Sequence, residues 1–214
     1  MPARLRSAWL GGLRLVPLPA VAIATTVGTV VTLVASSPPE RLRSWVVMTG
    51  LVLAAVGTSA VDDPTESLAA ATPIGRRIRW TARALPATAS AAVGFAWVIG
   101  VAVVHDGSSS VTAVLSTMDL DALLLQFGAY VVMALAVAAH AVRRWGPGNG
   151  LRAAAPALVL VHLAVEMSGG SWARLLPGAE PGTARWWGSL LALAAAAYVL
   201  VSTDPARRLS VVRR

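Results

Sequence analysis

With 214 residues, 56% of them hydrophobic and only 13% charged, the chain lies outside the soluble globular class, in which about a quarter of residues are charged. The formal net charge of +8 comes from 18 basic residues, all Arg, set in the short segments between apolar runs, which leaves no basic, aromatic-studded surface for nucleic acid. The absence of Cys excludes disulfides, thiolate metal sites and thiol catalysis.

In chain order, residues 1–14 come first. Leu5, Trp9, Leu10 and Leu13 mix there with Arg4, Arg6 and Arg14, as in a helix lying along a membrane surface, although Gly11-Gly12 weakens it. The apolar run Leu15–Ser37 outlasts the roughly 7–15-residue core of a secretory signal and is expected as a retained first helix. Further runs at Trp45–Val61, Ala84–Val104, Ala122–Val142, Leu151–Ser168 and Trp186–Ser202 bring the total to six. The first, third and fourth reach the roughly 20 residues that a spanning helix needs; the second and sixth are short. Glu166 and Gly169-Gly170 make the fifth the least regular. The runs are continuously apolar, without period-2 alternation, so helices are expected and not a barrel. The expected fold is an all-α, polytopic transmembrane helical bundle of about six spans, one domain over residues 1–214.

Arginine placement orients it. With both termini cytoplasmic, 14 of the 18 Arg fall in inside segments, and only Arg41, Arg43, Arg174 and Arg185 fall outside. The basic tail 203–214 is then cytoplasmic. Trp9, Trp80 and Trp145 are expected as anchors at the inner boundary, and Trp45, Trp172, Trp186 and Trp187 at the outer one, with Trp97 packed mid-span. The all-Arg, Ala- and Val-rich usage points to a GC-rich bacterial genome, and hence to a multi-pass protein of the bacterial plasma membrane.

The segment 62–84 concentrates charge and helix signals. Asp62 precedes Asp63, which reads as an N-cap with Pro64 at the first helical position and Glu66 completing a capping box. A short helix Pro64–Ala71 is expected, then a second start at Thr72-Pro73 leading through Arg76, Arg77, Arg79 and Arg83 into the third span. Val61-Asp62-Asp63-Pro64, Thr72-Pro73 and Arg76-Arg77-Ile78-Arg79 resemble the first cytoplasmic loop of membrane permease subunits of actinobacterial ABC-type (ABC-2-like) exporters. The resemblance covers this loop and, beyond it, the six-span layout.

It implies that the loop carries a coupling helix docked on a separate ATPase subunit, with Asp62, Asp63, Glu66, Thr72, Arg76, Arg77 and Arg79 at the contact. Residues 1–14 would match the family's interfacial helix, and Gly169–Arg185 its extracellular helices between the last two spans. The chain has no Lys, hence no phosphate loop of its own, so ATP would be bound by the partner and the chain itself is no enzyme. A second permease copy, or a related permease, would complete the pathway among membrane lipids. The alternative is a non-transporting membrane scaffold, or accessory subunit, that uses the same loop to recruit a partner.

Polar residues within the spans are few. His162 and Glu166 are four apart on one helix face, and Gln126 lies in the fourth span. An ionisable group in a bilayer is costly and faces protein or an aqueous cavity. The His–Glu pair therefore reads as a substrate contact or proton relay, or as a packing lock, and Gln126 as an interhelical hydrogen-bond donor. His140 reads as interfacial and His105 as exposed. A haem held by His140 and His162 is disfavoured by their different depths. Asp106, Asp119 and Asp121 read as solvated, and no metal site is expected. Gly28, Gly50, Gly57, Gly94, Gly100 and Gly128 are candidates for close helix contacts.

Overall fold

A computed structural model describes residues 17–34, 39–61, 76–105, 119–167 and 184–202, with backbone alone at 39–42, 60, 76–77 and 166–167. Within them the chain is helical throughout: α1 (Leu18–Val34), α2 (Pro39–Gly57) running into a 3-10 turn (Thr58–Val61), α3 (Arg76–His105), α4 (Leu120–Trp145), α5 (Gly150–Met167) and α6 (Ala184–Ser202). Ile78–His105, Leu120–Trp145 and Ala184–Ser202 are long and apolar enough to cross a membrane by length and composition; the apolar stretches of α1, α2 and α5 are shorter. The N-terminal surface helix, the short helix expected at 64–71, the segment 169–183 and the basic tail lie outside the described residues.

Local chemistry sets several ends. Pro17 and Pro19 fit the first turn of α1, where an N–H has no partner to lose, and Val21 N–H donates to Pro17 O at 3.0 Å. That sets the start of α1, whose described part, 17 residues or about 25 Å long, lies within the longer apolar run. At the start of α4, Asp119 adopts the left-handed conformation (φ 45°) and its carboxylate accepts from Ala122 N–H at 3.3 Å. Asp121 sits in that first turn. Both residues are exposed, as the solvated reading expects, and their carboxylates also lie at the positive end of the α4 dipole, where they help to start the helix.

The helices alternate in direction. Gly50 of α2 meets Phe95 of α3, and Gly57 meets Ala87 and Ala91, so α2 and α3 are antiparallel. Gly94 meets Thr25, and Leu33 shares a groove with Gly100 and Val104, so α1 and α3 are parallel. Tyr130 meets His162 across the tight α4–α5 hairpin. Tyr130 also meets Trp187, and Arg143 bonds the carbonyl of Val201, so α4 and α6 run parallel. Two halves result: α1, α2 and α3 pack on one another, and α4 packs on α5 and α6. They join where α2 lies on α4 and where the 3-10 turn touches α3, α4 and α5.

The surface is apolar. Ile23, Val34, Val93, Trp97, Val104, Leu160 and Leu200 all face outward. A water-soluble bundle turns such residues inward, whereas a bilayer solvates them. Hydroxyls are satisfied within their own helices, as for Thr29 on Thr25 O (2.8 Å), Thr32 on Gly28 O (2.7 Å) and Thr49 on Trp45 O (2.9 Å). In hydrocarbon no water is available to do so.

Tryptophan placement departs from expectation. Trp45 and Trp145 are exposed as anchors should be, but Trp80, Trp186 and Trp187 are buried. Trp97, expected in the packing, is 62% exposed. An indole near a helix end faces lipid only if no neighbouring helix covers it, and span position alone does not say which.

Candidate functional site

Gln126 and Tyr130 lie one turn apart on the buried side of α4, the most enclosed of the three long apolar helices. Gln126 Nε2 donates to Tyr130 Oη at 2.9 Å, and Tyr130 Oη stands 2.8 Å from Nδ1 of His162 on α5. Tyr130 Oη thus bridges the Gln126 amide and the His162 imidazole, with Nδ1 accepting from the phenol or donating to it according to the tautomer. Trp187 of α6 meets the Tyr130 ring edge-on at 5.5 Å, and Trp186 meets Trp187 at 4.6 Å, also edge-on. All five side chains are buried.

Tyr130 lies 13 residues before Arg143, or about 20 Å along the axis. A bilayer with α4 across it therefore holds the cluster inside its hydrocarbon layer, about 30 Å thick. Unpaired, each of these polar groups would cost several kcal/mol there. Joined, they form a hydrogen-bonded chain across two helices, aromatic on its α6 side.

The other side of the cluster borders the junction of the halves. Gln126 and Tyr130 line a gap too narrow for a water molecule, together with Val47, Gly50, Phe95, Leu123 and Phe127. Phe95 stacks on Phe127 with ring centres 4.4 Å apart and planes 14° from parallel. Gly50 makes room for that stack, since a Cβ there would come within 2.7 Å of the Phe95 ring. A wider groove of about 600 Å³ opens between α1 and α3, lined by Leu33, Ala96, Trp97, Gly100, Val101, Val104 and His105. It is nearly all apolar and lacks convergent polar groups.

Of the residues singled out in the sequence, His162 and Gln126 come together, but through Tyr130. Gln126 bonds within its own helix, and Tyr130 makes the bond between helices, so Gln126 is not the interhelical donor. Glu166 is described only as backbone in the last turn of α5. Asp62, Asp63, Glu66 and Thr72 lie outside the described residues, Arg76 and Arg77 enter as backbone of the first turn of α3, and Arg79 is half-buried. His140 is exposed near the α4–α5 hairpin with its ring 6.5 Å from that of Trp145, far from His162. His105 is exposed. Among the described residues no three metal-ligating side chains converge.

Sequence reasoning missed Tyr130 and the inward turn of Trp187. One signal was available: Tyr130 follows Gln126 by four residues in an otherwise apolar span and is one of only two Tyr in the chain.

Compared with known proteins, the chain matches no family model, no curated protein and no solved structure.

Proposed function

We propose that the chain is the membrane-spanning permease subunit of an ABC-type exporter, with six crossings, both termini cytoplasmic, and a separate ATPase acting on the loop between α2 and α3. The observation that carries this reading is the anchoring of that loop. It leaves the bundle at Val61 and re-enters near Trp80, and both side chains are fully buried. The 3-10 turn ending at Val61 touches α3, α4 and α5, where the two halves meet. A rigid push on such a loop cannot be absorbed at its ends and is delivered to that junction. The Gln126–Tyr130–His162 cluster borders the junction and offers polar groups to a substrate as the halves part. The six alternating helices agree with an even number of crossings, which the clustering of Arg also favours.

One observation favours the second reading, a non-transporting scaffold: the polar cluster is knitted together internally, beside a gap that admits no water. Purification from the native membrane in mild detergent separates the two. A stoichiometric ATPase subunit whose association weakens in the Arg76→Ala, Arg77→Ala double variant is the expected result. Recovery with no nucleotide-binding chain would leave the scaffold.

A further inference from the structure

The end of the bundle formed by the α4–α5 hairpin carries a feature that neither transport nor scaffolding uses. Arg143 and Arg144 occupy the last turn of α4 and Arg152 the first turn of α5, and all three are exposed. From Ala122 to Val165 the chain contains no Asp or Glu, and Asp121 and Glu166 lie at the opposite ends of α4 and α5, so the helix ends that meet at the hairpin carry no carboxylate. Trp145, 64% exposed, stands among them with the exposed His140 ring against it.

The hairpin holding these groups is firmly built. Gly146 and Gly148 both take φ 89°, a backbone region that favours glycine, so the chain reverses within four residues. Gly146 N–H donates to Val142 O at 3.0 Å. Asn149 Nδ2 donates to Trp145 O at 3.0 Å and to Gly146 O at 3.1 Å, closing the end of α4. Arg143 also donates to Val201 O at 3.3 Å, tying α6 to the same end. The positive charge is therefore held at a fixed place on the rim of two apolar helices.

We propose that this hairpin is a headgroup clamp for an anionic phospholipid. Guanidinium groups pair with phosphate oxygens in a two-pronged geometry, and basic clusters at the ends of membrane helices attract anionic lipid. An exposed indole beside them is matched to the headgroup layer, where its apolar ring and its N–H are both satisfied. An acidic soluble protein would complement the charge but would leave Trp145 and the adjoining, exposed Leu151 in water. The lipid satisfies both. The clamp is independent of the transport reading and requires only that this end of α4 reaches a membrane surface.

The test uses the full chain in phosphatidylcholine nanodiscs doped with brominated phosphatidylglycerol or with brominated phosphatidylcholine. Trp145 fluorescence is isolated by difference from a Trp145→Phe variant. Brominated phosphatidylglycerol is expected to quench Trp145 at a lower lipid fraction than its zwitterionic counterpart. Each of Arg144→Gln and Arg152→Gln should reduce that preference by roughly fivefold. Arg185→Gln, in an exposed residue outside the hairpin, should leave the preference intact. Equal quenching by the two lipids in the wild-type chain, the result expected if an acidic protein is the true occupant, overturns the clamp. So does a preference that survives removal of both arginines.

Discussion

The two halves of this bundle are held together by opposite means. In α1–α3 the contacts are made by absence: Gly28 admits Thr49, Gly94 admits Thr25 and Gly50 admits Phe95, while the Thr49 hydroxyl bonds the carbonyl of Trp45 in its own helix. In α4–α6 the contacts are made by bulk and polarity: Trp186, Trp187 and Tyr130 fill the interior, and a hydrogen bond passes from α4 to α5. The difference teaches where each half is vulnerable. Lipid is as apolar as the helices, so burial alone does not drive helices together, and either shape or hydrogen bonding must do it. The first half uses shape and suffers from an added atom; the second uses mass and hydrogen bonds and suffers from a lost one.

The largest effect is expected at Trp187. Trp187→Ala removes the ring that Tyr130 and Trp186 both touch and leaves a cavity between α4 and α6, at a cost of about 3 kcal/mol. Unfolding in mixed micelles of mild detergent and dodecyl sulfate measures it. Next comes Gly28→Ala, where the new methyl would collide with Thr49, a β-branched side chain with few alternative rotamers. Overpacking of this kind costs about 1–3 kcal/mol. Gly128→Ala, on the α4–α6 contact, is the matched control: its Cβ would meet Leu191 at an ordinary 3.7 Å, so stability should stay within about 0.5 kcal/mol of the parent. If the two glycine variants behave alike, the contrast between the halves fails.

The sequence made the larger elements legible and the contacts between them much less so. All six apolar runs became helices because an uninterrupted apolar stretch in lipid must satisfy its own backbone. Helix lengths were less legible. Prolines trim α1 at one end, whereas α3 does run back through Arg76 ahead of its apolar run, as the helix signals read before the third span lead one to expect. Of the six glycines flagged, Gly28, Gly50 and Gly94 sit at tight contacts, Gly57 and Gly128 have ordinary clearance, and Gly100 meets nothing. A glycine's identity says that a neighbour can approach, and only the packing says whether one does. Trp97 and Trp187 exchanged roles for the same reason. Two of the three polar residues of the cluster, His162 and Gln126, were readable, but Tyr130, the residue that joins them, looked like one more aromatic in an apolar span.

Among the changes expected to destabilise, Tyr130→Phe carries the smallest effect and the sharpest lesson. It removes one oxygen and keeps the ring against Trp187, so packing is unchanged while both Gln126 and His162 lose a partner. Buried in water-soluble proteins, such a loss costs about 1–3 kcal/mol. Within a membrane the unfolded helices also find partners for their polar groups, and the interhelical term falls to about 0.6 kcal/mol, rarely above ~1.7. A double-mutant cycle of Tyr130→Phe with His162→Leu isolates that term from the loss at Gln126. A coupling between about 0.5 and 2 kcal/mol is expected. Zero coupling would mean that shape alone holds the second half too, and the two halves would then differ only in the size of the side chains they use.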